Sequence, residues 1–337
     1  MRDSQAIRNI RVEDYPTRGS FQERIEFLLQ FGILAPSTHN TQPWLFKVEN
    51  NICKLHYDKA RILPAADPKQ RDLHISLGCC IENILTAAWV FKLSADVQYF
   101  DSKSDTLRAM LTFRDDPVKN INEKYLSTMQ SRVNVRGFFD DLPIDTDILD
   151  GIELLEDNIE LKIIINKKVI QEISSLSLDG ITKAYGNDEF RNEIGTWVRN
   201  NFSGANDGMV GHSLRMSTLV SVVFPFMVKR VNLKNKVIEI NKKQWETVPG
   251  VCVLSGEENI ISWMKVGRLA ERCMLLLENK GIRSSIFQAA IEFDYLQEGL
   301  KKLLKMKHLP QILFRVGYMT SIQNTFSRRL LVKERML

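Results

Sequence analysis

No CxxC, no HExxH and no Cys/His cluster occurs anywhere in this 337-residue chain. Its five cysteines (Cys53, Cys79, Cys80, Cys252, Cys273) and five histidines (His39, His56, His74, His212, His308) are dispersed. The odd, scattered thiols read as reduced core residues, and no metal site is expected. GxGxxG and GxxxxGK[ST] are missing as well, which removes the two commonest glycine-rich phosphate grips. Long apolar runs are also lacking. The most apolar windows, residues 24–34 and 216–228, fall short of the roughly 20 residues of a membrane span, and the second is cut by Ser217, Thr218, Ser221 and Pro225. The opening MRDSQAIRNIRVEDYP has basic residues but no apolar core of a secretion signal, so the expected location is cytoplasmic, with no membrane partner.

Charge of one sign is not segregated either. The formal net charge is +5, but bases alternate with acids almost throughout, and LKKLLKMKH at 300–308 reads as a solvated helix face. Without a basic stripe carrying interleaved aromatics, no nucleic-acid partner is expected. What the chain does have is 44% hydrophobic residues, enough to fill the core of two domains or of one domain built twice.

A faint internal repeat supports the second arrangement. HISLGCCIENILTAAWVFKL (74–93) lies on WMKVGRLAERCMLLLENKGI (263–282) without a gap, pairing Gly78 with Gly267 and Glu82 with Glu271. Both segments are apolar at helical spacing. AMLTFR (109–114) likewise resembles QILFRVGY (311–318), a β-like run ending in arginine. The expected boundary falls near residue 125, giving halves at 1–125 and 126–337. Further strands are expected in 45–58, with a turn at Asn50–Asn51, and at 161–166 and 249–256. Helices and strands mix without a regular βαβ rhythm, so the fold class is α+β.

Two stretches concentrate polar chemistry. APSTHNTQPW (35–44) sets Ser37, Thr38, His39, Asn40 and Gln42 between Pro36 and Pro43, and Pro43 should hold Gln42 extended. Its hydroxyls and amides suit a heteroaromatic edge of alternating donors and acceptors, and they equally suit an ordinary turn or N-cap. SRVNVRGF (131–138) would bring Arg132 and Arg136 onto one face in a helical turn, and Arg132, Asn134 and Arg136 to one side in an extended strand. With Arg328 and Arg329 of the SRR segment, these guanidiniums can form a bidentate phosphate grip or simply carry surface charge. Residues 185–230 match neither repeat and read as a lid or as a helical insertion.

APSTHNTQPW resembles the APSxxNxQPW loop of the nitroreductase family, and SRVNVRGF resembles that family's RxSxRxF, with Asn134 in place of Ser. GRLAERCMLLLENKGIRSS is similar to its late helix, FRVGY to its final strand and SRRLL to its terminal phosphate-binding segment. The arginine motif follows the loop by about ninety residues, an order that resembles the Acg-like branch, in which two partly degenerate halves are fused into an intramolecular pseudo-dimer. The resemblance implies a nitroreductase-like fold with tandem duplicated halves and one FMN. Arg132, Asn134, Arg328 and Arg329 would take its phosphate and ribityl chain, Arg136 the N1 and C2 carbonyl side, and Pro36, Ser37, Thr38, Asn40 and Gln42 the ring. The residues near N5 fall on Gln288 and Ala289, with Gln where an acid is usual. The implied chemistry is ping-pong: NAD(P)H reduces the flavin, and a nitroaromatic, quinone or similar small electron acceptor reoxidises it at N5. No protein acid or base is required, and His39 is either a proton donor or a packing residue. The runner-up is a flavin-sequestering or regulatory protein with little turnover.

Overall fold

Ser20 and Glu23 begin the first helix as the sequence prescribes. In the computed structural model, which describes residues 6–116, 122–150, 152, 158–320 and 326–337, the Ser20 Oγ accepts the Glu23 N–H while the Glu23 carboxylate accepts the Ser20 N–H. This reciprocal cap satisfies two donors that a helix start otherwise leaves open. The chain then runs α1 (Phe21–Gly32), β1 (Trp44–Glu49), β2 (Ile52–Tyr57), α2 (Arg71–Val90), β3 (Ser94–Tyr99), β4 (Leu107–Arg114) and α3 (Lys124–Ser131). It continues through β5 (Glu160–Ile164), α4 (Lys167–Gly186), α5 (Asp188–Trp197), the two-residue strands β6 (Val198–Arg199) and β7 (Met209–Val210), α6 (Thr218–Arg230) and α7 (Lys234–Trp245). The remaining elements are β8 (Gly250–Gly256), α8 (Ile260–Asn279), β9 (Arg283–Ile286), α9 (Asp294–Leu304) and β10 (Leu309–Gly317).

The architecture is α+β. Two four-stranded antiparallel sheets are ordered β1-β2-β4-β3 and β5-β8-β10-β9. Setting aside the elements from α4 to α7 between β5 and β8, and α9 between β9 and β10, each sheet follows in chain order as two strands, a 20-residue helix and two more strands, so α2 stands where α8 does and β4 where β10 does. These are the two pairs of segments that the internal repeat aligns. Asn50, at φ +54, makes the expected turn between β1 and β2.

α2 and α8 cross at the centre. A Cβ on Gly78 would lie 2.0 Å from the Met264 carbonyl oxygen, and one on Gly267 would lie 2.1 Å from that of Ile75. Each glycine therefore faces the carbonyl three residues before the other. Glu82, buried beside this crossing, pairs with Arg268 at 3.0 Å and Arg272 at 2.7 Å. Eighteen of the twenty residues of α2 are buried, and among the described residues it is the only helix long and apolar enough to cross a membrane. The apolar windows singled out from the sequence missed it because Asp72, His74, Glu82 and Asn83 interrupt the run. Its burial identifies it as a core helix.

The C-terminal segment reaches back to the first sheet. Phe46 of β1 bridges Met336 in parallel, with the Phe46 N–H donating to the Arg335 carbonyl at 2.8 Å and the Leu337 N–H to the Phe46 carbonyl at 2.8 Å. The segment after α3 pairs with β9 through a parallel bridge from Asn134 to Ser284.

Candidate functional site

A cavity of about 690 Å³ opens where these pieces meet. Pro36, Ser37, Thr38, His39 and Asn40 of the polar loop line it, as do Arg132, Asn134 and Arg136, Gln288 and Ala289, and Arg329. Gln42 and Arg328 do not. The segment after α3 is extended, with Arg132 at φ −61 and ψ 128, so the extended alternative for the arginine motif is the one realised.

The loop departs from expectation at its end. Gln42 sits at φ +53 instead of in the extended region that Pro43 favours. Three contacts hold it there: its N–H donates to the Ser37 Oγ at 3.0 Å, its Nε2 to the Asn206 carbonyl at 2.8 Å, and its Oε1 accepts the Leu330 N–H at 2.8 Å. Asn40 behaves alike. Its Nδ2 donates to the carbonyls of Gly208 and Arg328 at 3.0 and 3.1 Å, and its Oδ1 accepts Arg329 Nη1 at 2.8 Å. Both amides are thus spent tying the loop to the β6–β7 region and to the C-terminal segment, and their direct reward is the placement of Arg329. Arg328 turns away from the cavity, donating to the carbonyls of Ser203 and Ala205.

Positive charge converges on the cavity more heavily than the sequence indicated. Arg8, which no pattern in the N-terminal segment marked, is buried against Arg132 and Arg329, and it donates to the carbonyls of Gln130 and Arg132 at 3.0 Å each. Burial and then Arg132 push its pKa down to about 9, and burial with Arg8 and Arg132 lowers that of Arg329. The counter-charge within this group is Glu271, paired with Arg132 at 3.1 Å, with Glu278 also favouring the charged Arg8. Arg315, likewise missed, is pushed down to about 9 by burial and by Arg136. Arginine keeps its proton in proteins, so such crowding marks a place that an anion would relieve. Among the described residues, Arg8 Nε, Arg132 Nη1, Arg315 Nε and Nη1, and Arg329 Nε are buried without a hydrogen-bond partner. Each of these residues lines the cavity.

A second, acidic group lies around Gln288. Its Nε2 donates to Asp72 Oδ1 at 3.0 Å and its Oε1 accepts the Leu313 N–H at 3.0 Å, while the Thr38 hydroxyl donates to Asp72 Oδ2 at 3.3 Å. Ala289 is held by the close approach of α4, where Gly180 leaves no room for a Cβ against the Ala289 carbonyl. Glu292 lines the cavity near Asp72, and burial followed by Asp72 pushes its pKa up to about 8. An unfolded chain would ionise it near 4.5. Between those values only the folded state holds the proton, so this residue makes stability fall as pH rises through the window and level off above it. Glu292→Gln should therefore gain on the parent protein by on the order of 1.4 kcal/mol per pH unit within the window. Urea denaturation near each end would read the gain, and an unchanged difference between the two proteins at both ends would refute it.

His39, at φ +50, packs edge-on against Phe190 with ring centroids 6.4 Å apart, and among the described residues its Nδ1 has no hydrogen-bond partner. Burial, then Arg136, pushes its pKa down to about 4, so at neutral pH the ring is uncharged. Residues 185–230 wall the cavity through Tyr185, Phe190, Ile194, Val198, Met209 and Phe224, and α7 extends the wall with Val237 and Ile240.

No family model matches the chain. Over 83 residues it is 31% identical to acg of Mycobacterium tuberculosis, named as an NAD(P)H nitroreductase, in strains CDC 1551 and H37Rv. That match spans about a quarter of the relative's length and 25% of this chain. Similar solved structures include the FMN and NADPH-dependent nitroreductase NfnB of Sphigopyxis sp. strain HMH, at 13% identity over 62% of this chain and 96% of that one, with TM-score 0.42. Another is a nitroreductase with bound FMN from Bacteroides fragilis NCTC 9343, at 14% identity over 62% and 95%, with TM-score 0.36. All are nitroreductases, the family that the loop and the arginine motif resemble.

Proposed function

We propose that the chain is an FMN-dependent oxidoreductase that takes reducing equivalents from NAD(P)H and delivers them to a small acceptor such as a nitroaromatic or a quinone. The observation that carries this reading is the set of unpartnered buried guanidinium N–H groups around the cavity, which fits a phosphate-bearing ligand. The nitroreductase names of the relatives supply the chemical class. Arg8, Arg132 and Arg329 would hold the phosphate, and the Asn134 amide, whose Oδ1 already accepts the Ile286 N–H at 2.6 Å, would offer its N–H groups to the ribityl chain. Pro36 to Thr38 form a wall, and Arg136 with Arg315 brings further positive charge. When bound, FMN supplies the hydride chemistry, which is why no acid or base of the chain is assigned to it. The chain's own work is to bind, to orient and to keep water out.

The common strand order of the two sheets and the reciprocal glycine contacts support a further element of the proposal: residues 1–125 and 126–337 are copies of one nitroreductase-like unit, fused into a pseudo-dimer. A second reading, flavin sequestration without turnover, is favoured by the bonds that tie Asn40 and Gln42 to Asn206 and Gly208 and draw the insertion over the loop. Anaerobic mixing of the flavin-loaded protein with NADH and with NADPH separates the two. Bleaching by either supports the oxidoreductase, and failure of both leaves sequestration. A purified protein with no flavin absorbance and no affinity for FMN would end both readings.

A further inference from the structure

The helical pair α6–α7 presents an unusual outer face. Leu219 is 83% exposed and Phe226 60%, with Val220, Val222, Val223, Met227 and Val231 also open to solvent. Phe202, 69% exposed, joins them through its neighbour Asn201, whose N–H donates to the Ser221 Oγ at 3.0 Å. In α6 only Ser221 and Val228 are buried, so this helix spends nearly all its apolar residues on the outside. A contiguous apolar face of this kind marks a docking site.

Charge identifies what docks there. Residues 218–246 carry Lys229, Arg230, Lys234, Lys236, Lys242 and Lys243 against Glu239 and Glu246, a net charge of +4 in a chain whose total is +5. Arg230 lies over the Phe226 ring, 4.5 Å from its centroid, so cation and apolar surface are joined at one edge. A second copy of the chain meeting this face about a two-fold axis would set positive charge against positive charge. An anionic bilayer offers the complement: lipid phosphates for the lysines and an acyl boundary for Leu219, Val223 and Phe226.

We propose that the α6–α7 face is a docking surface for anionic lipid membranes, entered shallowly and without spanning. This differs from the expectation of no membrane partner, which rested on the lack of a spanning segment. Phe224, Val237 and Ile240 of the same two helices line the cavity, so the docked face lies directly over it. Resting on the oxidoreductase reading, this placement makes a lipid-soluble acceptor of the quinone class the substrate that docking would serve.

Flotation with phosphatidylcholine vesicles, with or without phosphatidylglycerol, tests the surface independently of flavin. The full chain should float with the anionic vesicles only, and added salt should release it. Leu219→Glu with Phe226→Glu, and separately Lys234→Glu with Lys236→Glu, should each weaken binding roughly tenfold or more. Circular dichroism and FMN titration should remain unchanged for both pairs. Absence of flotation, equal flotation with neutral vesicles, or unaltered binding by both charge- and apolar-face variants would overturn the proposal. So would a dimer that Leu219→Glu with Phe226→Glu dissociates in a protein that does not bind vesicles.

Discussion

Arg132→Ala is expected to lower both stability and FMN affinity, by separable routes. The side chain is almost wholly buried, with Nε 3.1 Å from Glu271, Nη2 donating to the Leu34 carbonyl at 3.2 Å and Nη1 without a hydrogen-bond partner among the described residues. Removing it strands a buried carboxylate, and breaking one side of a buried ion pair costs about 3–5 kcal/mol. The lost phosphate contacts cost about 1.5–3 kcal/mol for each charge-assisted bond, or roughly tenfold to more than a hundredfold in affinity. Adding Glu271→Gln to the alanine variant should recover much of the stability while leaving affinity low, because the amide needs no counter-ion but offers the phosphate no guanidinium. Urea denaturation and flavin fluorescence titration of the double variant decide the matter. FMN affinity equal to that of the parent protein would show that Arg132 only neutralises Glu271.

The largest purely structural effect is expected at the helix crossing. Gly78→Ala would drive a methyl group into the Met264 carbonyl, and the backbone there cannot yield unless α2 and α8 separate. Overpacking a rigid contact typically costs about 1–3 kcal/mol, and this one should reach or exceed the upper end because the obstacle is main chain in a buried helix. Gly267→Ala should cost about the same, for the contact with the Ile75 carbonyl is its mirror. The double variant should lose less than the two single losses together, since one separation of the helices relieves both clashes. Gly186, at the end of α4 with nothing within 4 Å, is the control at which alanine should be nearly neutral. Equal melting temperatures for Gly78→Ala and Gly186→Ala would contradict the close crossing.

Much of the fold was open to sequence reasoning because it rests on local pattern. The helical period and the ungapped repeat located α2 and α8, whose bounds differ by the same offset at each end. The alignment also paired Gly78 with Gly267, although only the crossing explains why both must be glycine. The convergence of the loop, the 132–136 motif, Gln288 and Arg329 was likewise anticipated, through resemblance more than through composition. What stayed hidden depends on distant partners. Arg8 lies in an undistinguished basic segment, and its significance comes from a carbonyl acceptor 124 residues away. Gln42 follows its long-range bonds rather than the local preference imposed by Pro43, and Arg328 is turned by carbonyls of an insertion that has no counterpart in the repeat. Glu292, three residues beyond Ala289, carried no spacing that would have joined it to Asp72.

The bond between Asn40 and Arg329 closes a loop of 289 residues, and those from Arg329 to the carbonyls of Leu34 and Ala35 close slightly longer ones, of 295 and 294. Contacts of such separation are entropically costly to form early, so the arginine-rich end of the cavity must be assembled late in folding, after both sheets exist. It cannot then serve as a nucleus. Mutations confined to these clamps should accelerate unfolding while leaving the refolding rate almost unchanged, and a ligand bound there should lengthen the lifetime of the native state without speeding its formation.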